Sequence, residues 1–350
     1  MILSVLACAA PELADEPGTS PAGPAGPDTG AVFTDCSSLV WMEGDAALQH
    51  QSEIDVFCET HNAIRGDLSI DVSNNDDTIT ELDGISCLCE VDGDLRVFST
   101  DDSAAAAPPP PHITGDLELS LLRRIGGDFT LENLPLLTYL QELWSLEEVG
   151  GSILIDGCPE LQYSALYNLA AVGGPITMRN LGKLLVFRMP SLKTAGGIRL
   201  GATGDAESLY FLTELGIESL TTLSGDLSLT GTRNLGLLSA PLLTTIDGAL
   251  HIEAACSLRP AMPALAELGS LHIEGACGLD DFTGLPVLTA LKGEDADGYS
   301  LWLSASEGVG DEDVAELLAR LSSAPSGEIF SDTTTTCADV LSGYGAAFCE

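Results

Sequence analysis

Basic side chains are scarce in this chain: 13 Lys and Arg stand against 53 Asp and Glu, a formal net charge of −40. A field of that sign repels phosphate backbones and anionic lipid surfaces, so neither nucleic acid nor a bare membrane is expected as a partner. Long hydrophobic runs are missing too. No stretch reaches the roughly 18 to 20 apolar residues that a spanning helix requires. Catalytic signatures are also absent: there is no Gly-x-Ser-x-Gly elbow, no His-Glu-x-x-His and no phosphate-binding glycine loop followed by Lys and Ser or Thr. Asp295-Ala-Asp297-Gly298 begins like a calcium loop, but Tyr299 stands where a third oxygen ligand belongs. Only five histidines occur, three of them (His50, His61 and His112) outside the repeated segments described next. No enzyme activity and no cofactor are expected. Hydrophobic residues make up 45% of the chain, which is ample for a large core.

What the chain does contain is a repeat. A pentad of Gly, any residue, apolar, any residue, apolar starts at Gly66, Gly93, Gly127, Gly151, Gly174, Gly196, Gly225, Gly248 and Gly269, with a degenerate tenth from Gly298 to Leu303. The intervals cluster near 23 residues. The largest, from Gly93 to Gly127, contains the low-complexity segment Asp101–His112, read as a loop bulging from one rung. Alternation within each pentad is the period of a strand buried on one face, entered by a tight turn at the glycine. Between pentads the apolar spacing changes to three, as in Leu131, Leu134, Leu137, Leu140, Leu143, Leu146 and Val149, which suits the sides of a triangular coil. A phrase of Pro, any residue, Leu recurs at Pro135, Pro190, Pro241, Pro263 and Pro286, where a residue without a donor fits a corner. The predicted fold is mainly β: a right-handed leucine-rich solenoid of about ten rungs with parallel sheets and short capping helices near Ser52–Cys58 and Asp311–Leu321.

Stacked strands present their outward residues in columns, and this open face is where solenoids meet partners. The ligand-face candidates are Arg96, Thr130, Leu154, Thr177, Arg199, His251 and His272 in one column. Phe98, Glu132, Asp156, Arg179, Glu253 and Glu274 lie in the next. His251, Glu253, His272 and Glu274 form a two-by-two block at equal positions of adjacent rungs, close enough for one metal ion; the adopted reading is two solvated ladders without metal. Between Glu160 and Asp205 five basic residues (Arg179, Lys183, Arg188, Lys193 and Arg199) occur with no acidic one. That belt either meets an acidic ligand or relieves intramolecular repulsion.

The entry segment, with Cys36, Cys58 and then Arg65-Gly66-Asp67-Leu68-Ser69-Ile70, together with the Val149-Gly150-Gly151 and Val172-Gly173-Gly174 phrases, resembles the receptor L-domain family. The resemblance runs from Cys36 to about Leu303. It implies a leucine-rich β-helix, ligand contact through the strand face, and a bridge between Cys36 and Cys58. Val5-Leu6-Ala7-Cys8 resembles a bacterial lipoprotein lipobox, which implies lipidation of Cys8 and an extracytoplasmic protein at the outer membrane or cell surface. The expected organisation is a signal segment 1–8, a Pro/Gly/Ala linker 9–33, an N-terminal cap 34–65, a solenoid 66–304 interrupted by 101–112, and a C-terminal cap 305–350. Ten cysteines in an exported chain argue for disulfides. Cys256 with Cys277 is expected from equal positions in consecutive rungs, and Cys337 with Cys349 as a terminal staple. Cys87, Cys89 and Cys158 are unassigned, with one thiol left over. The expected function is a surface-tethered, non-catalytic module recognising protein or carbohydrate. The alternatives are a structural envelope protein without a ligand and a β-helix glycan hydrolase.

Overall fold

Each rung enters its main strand through the same corner, and that corner explains why Gly-Asp recurs. In a computed structural model of the chain, the residues described are 33–337, apart from 74–77, 101–112, 114, 202–208, 307 and 333. At the corner, each glycine N–H donates to the glycine carbonyl one rung earlier: Gly93 to Gly66, Gly127 to Gly93, Gly151 to Gly127 and Gly174 to Gly151, at 2.7–3.1 Å. The following aspartate reaches across to the next rung. Asp45 Oδ1 accepts the Asp67 N–H, Asp67 that of Asp94, Asp94 that of Asp128, and Asp128 that of Ser152, all at 2.6–3.0 Å. The Asp series is interrupted after Ser152, because the next rung carries Pro175 at this place, which has no N–H to donate. It recurs further along, where Asp226 Oδ1 accepts the Ala249 N–H at 3.1 Å. A side chain at the corner has nowhere to go: a Cβ on Gly127 would lie 2.0 Å from Asp94 Oδ1, and one on Gly150 would lie 2.2 Å from the Gly126 carbonyl oxygen.

From this corner the strands stack in parallel. The main ladder runs through Ala46–Leu48, Leu68–Asp71, Leu95–Phe98, Phe129–Glu132, Ile153–Asp156, Pro175–Arg179, Gly197–Leu200, Leu227–Thr230, Thr245–Glu253, Glu267–Glu274, Tyr299–Ser304 and Glu328–Asp332. A second ladder of two-residue strands, from Trp41–Met42 to Thr222–Leu223, precedes the corner and joins the first through the long strands Thr245–Glu253 and Glu267–Glu274. A third ladder links Tyr163–Ala165, Val186–Arg188, Glu214–Gly216, Leu237–Ser239 and Arg259–Ala261. The apolar spacing of three turns successive leucines of one rung towards the interior of the coil, where equal positions of neighbouring rungs stack, as Leu131 does on Ile155. Leu131, Leu134, Leu137, Leu140, Leu143, Leu146 and Val149 are all fully buried, each contributing roughly 1.5–3 kcal/mol as an upper estimate.

The fold class and the solenoid pattern are as expected, while its ends differ. The main ladder has twelve strands rather than about ten, spanning on the order of 50 Å at the usual strand separation. The additional first rung, Gly44-Asp-Ala-Ala-Leu48, has alanine where other pentads carry a larger apolar residue. The last, Glu328–Asp332, follows the expected C-terminal helix, so residues after 305 extend the ladder as well as cap it. That helix, Asp311–Arg320, buries Val314 and Leu317, and Asp313 Oδ2 accepts the Gly310 N–H at 2.8 Å. The N-terminal helix, Gln51–Phe57, buries Ile54 and Phe57, with Glu53 accepting the N–H groups of Gln49 and His50.

Two expected disulfides are overturned, and so is the terminal staple. Cys36 bonds Cys89, and Cys58 bonds Cys87, both with Cα atoms 5.8 Å apart. The pairing of Ala63 with Glu90 lays the segment holding Cys87 and Cys89 against the one holding Cys58, and each cap cysteine finds a partner there. Cys277 bonds Cys337 rather than Cys256, which leaves Cys337 unavailable to Cys349. Equal positions of a parallel stack hold Cβ atoms about 4.8 Å apart, farther than the ~3.8 Å a bridge takes. Cys256 is disulfide-bonded as well. Cys158 is the free thiol among the described residues. It stands two residues beyond its strand, as Leu134 and Leu181 do, and burial pushes its thiol up to about 12. The three bridges are consistent with an extracytoplasmic location. Cys8, the linker, the 101–112 insertion and Cys349 lie outside the described residues.

If the corner sets the rung spacing, Gly150→Ala should cost about 1–3 kcal/mol in urea denaturation, because backbone rather than a flexible side chain must shift. Gly236→Ala, with nothing within 4 Å of the new carbon, should stay within about 0.5 kcal/mol.

Candidate functional site

The outward face of the main ladder is built by strict register. Ser69, Arg96, Thr130, Leu154, Thr177, Arg199, Ser228, His251 and His272 pair one to the next, as the pentad alignment predicts. In the second column Asp71, Phe98, Glu132, Asp156 and Arg179 are in register, as are Thr230, Glu253 and Glu274. The first column continues past the expected end, through Trp302 and Phe330. Trp302 was hidden because the tenth pentad holds one residue too many; a register shift between Tyr299 and Leu301 absorbs it.

Among the described residues, four of the five basic residues of the belt, all but Lys193, are ion-paired. Arg179 pairs with Asp156 at 2.7 Å, Lys183 with Glu160 at 2.7 Å, Arg188 with Glu214 at 2.7 Å and Arg199 with Asp226 at 3.1 Å. Each partner is 23 to 27 residues away in the chain, one rung along. Further up the face, Arg96 pairs with Glu132 at 2.6 Å and lies 4.0 Å over the Phe98 ring. Of the two readings of the belt, relief of intramolecular repulsion fits these pairings. Exposed pairs of this kind are worth about 0–1 kcal/mol each and act mainly by removing like-charge contacts.

The His/Glu block lies where expected, but its rings stack on each other rather than converge. His251 and His272 lie 4.4 Å apart at 20°, His272 and Trp302 5.6 Å apart at 10°, and Trp302 and Phe330 4.2 Å apart at 20°. Tyr299 packs edge-on to Trp302. Carboxylates flank the stack: Glu253 lies 3.3 Å from His251 Nε2, Glu274 3.7 Å from His272 Nε2, and Asp295 3.2 Å from His272 Nδ1. Among the described residues, no group of three or more His, Cys, Asp or Glu is arranged to hold a metal ion. Asp295 also accepts the N–H groups of Asp297 and Tyr299, so the segment read as an incomplete calcium loop is a turn tied to the His272 ring. Beside the histidines a groove of about 470 Å³ opens towards Arg199 and the 293–297 turn.

A second exposed group was not anticipated. Trp144 and Tyr167 occupy equal places in successive rungs on the far side of the coil, each nearly half exposed, with Tyr139 and Tyr163 bridged nearby. The motifs Leu143-Trp144-Ser145-Leu146 and Leu166-Tyr167-Asn168-Leu169 carry this alignment in the sequence. No protein-family model and no curated protein matches this chain. Among the described residues, no helix is long and apolar enough to cross a membrane.

Burial disfavours the His272 imidazolium, but the Glu274 and Asp295 carboxylates more than offset it and raise its pKa. Asp295 is shifted the other way: burial is outweighed by the Tyr299 N–H, by His272 and by the Asp297 N–H, which lower its pKa. The histidine therefore contributes stability that is fully present below its unfolded pKa and is lost as pH rises through the raised value. The aspartate contributes stability above its unfolded pKa that is lost as pH falls through the lowered one. His272→Gln should accordingly lower the denaturation midpoint most between about pH 4 and pH 6.5 and least in alkali. A pH-independent difference between variant and parent would contradict the pairing.

Proposed function

We propose that this chain is a non-catalytic extracytoplasmic recognition module of the receptor L-domain type, tethered at a bacterial surface through Cys8. It would bind protein or carbohydrate through the exposed face of its main ladder. The observation that carries this reading is the unbroken outward column from Ser69 to Phe330, which ends in a ring stack beside a groove. A sheet surface held rigid by a buried leucine column loses little conformational entropy on binding, which is what a recognition surface requires. The mixture along the column supports recognition rather than mere solvation. Arg96 and Trp302 bring residue types that dominate binding energy at interfaces, and Leu154 and His251 add apolar and aromatic surface in the same column. Three disulfides support an exported protein.

The test is a screen of the full chain against surface proteins and glycans. Thr130→Arg, Thr177→Arg and His251→Arg would be measured beside Gln162→Arg, which lies off this face. At least one face variant should weaken a specific interaction tenfold or more while Gln162→Arg leaves it unchanged. Equal binding by all four variants would move recognition off the face. Absence of any ligand would favour a structural role in the envelope.

A further inference from the structure

The groove beside the histidine pair differs from the rest of the face in being concave, and its shape follows from small residues. Its floor is Ala249 and Ser270, with Gly248 and Gly269 at the corner, so no side chain fills the space. At one end stands the Arg199–Asp226 pair, and at the other the turn carrying Asp295 and Asp297. His251 forms part of the wall. One face of its ring lies against His272, while its neighbour on the opposite side in the column is Ser228, which carries no ring. The free face of the imidazole therefore borders the groove.

From this geometry we infer that the groove binds a mono- or disaccharide that carries no acid group and is held best when it bears a free amine. The inference rests on the recognition reading above and names the ligand class for one part of that face. A pyranose offers a flat C–H surface and a rim of adjacent hydroxyls. The His251 ring face matches the first. Carboxylates and a guanidinium match the second, because each presents two hydrogen-bonding atoms in one plane. A volume of about 470 Å³ lies within the usual range for small-ligand sites. Charge decides which sugar. Asp226 is taken up by Arg199, and Asp295 by His272. Asp247, Glu294 and Asp297 also line the groove, and none has an ion-pair partner among the described residues. This excess negative charge repels uronic, sialic and sulfated sugars and attracts an ammonium group.

The experiment titrates the full chain with glucosamine disaccharide, its neutral N-acetylated form, galacturonic acid disaccharide and a lysine-containing tripeptide, followed by calorimetry. The amino sugar should bind tightest, the neutral sugar measurably and the acidic sugar not at all. Ala249→Tyr, which fills the groove, should weaken both sugars at least tenfold. Asp247→Asn with Asp297→Asn, both at exposed positions, should remove the preference for the amine. Three results would each overturn the inference: equal binding of the acidic sugar, binding of the peptide alone, or sugar binding that survives Ala249→Tyr. If sugar binding instead responds to Thr130→Arg or to Trp144→Ala, the groove assignment fails; with Thr130→Arg the recognition reading of the face still stands. If neither a sugar nor any surface protein binds, both fail.

Discussion

At the corner of the coil the Asp94 carboxylate accepts the Asp128 N–H at 2.7 Å, and the space left at Gly127 admits a hydrogen atom but no carbon. Everything else about the molecule depends on this contact being repeated. It sets the separation between rungs, and with it the register that stacks leucine on leucine inside and column on column outside. Shifting a strand by one residue would exchange its two faces, putting Leu131 in water and Thr130 in the core. The corner bonds, from glycine to glycine and from aspartate to the next N–H, make that shift costly at each rung.

The same contact accounts for part of the chain's acidity. Corner aspartates are hydrogen-bond acceptors as much as surface charges, and they recur where the next rung offers an N–H. Other carboxylates serve the basic residues one rung away, so Asp156, Glu160, Glu214 and Asp226 each hold an Arg or Lys. Four of the five residues in a basic run that looks like a ligand patch in the linear sequence are therefore paired with carboxylates in three dimensions. The net charge remains strongly negative all the same.

Most of the fold was legible in the sequence because a solenoid writes its contacts at short and regular separations. Glycine positions located the corners, alternation located the strands, and the spacing of three from Leu131 to Val149 located the buried interior. What escaped was irregular. The first rung was hidden by Ala46, too small to register as a core position, and the last by a helix placed before it. Trp302 was lost to a single extra residue after Gly298. The Cys256–Cys277 pair failed for a geometric reason: equal phase in a repeat means parallel side chains, and bridges need side chains that converge. Of the candidate face, the column from Arg96 to His272 was legible and the groove was not. A groove is defined by missing side chains at Ala249 and Ser270 and by a turn folded over them, neither of which a pattern of outward residues reveals.

The most direct test of the rung register is peptide mapping of the non-reduced protein by mass spectrometry. The register described here predicts bridges from Cys36 to Cys89, from Cys58 to Cys87 and from Cys277 to Cys337, with Cys158 recovered as a free thiol only after denaturation. A Cys36–Cys58 bridge, or a Cys158 that reacts in the folded protein, would contradict it.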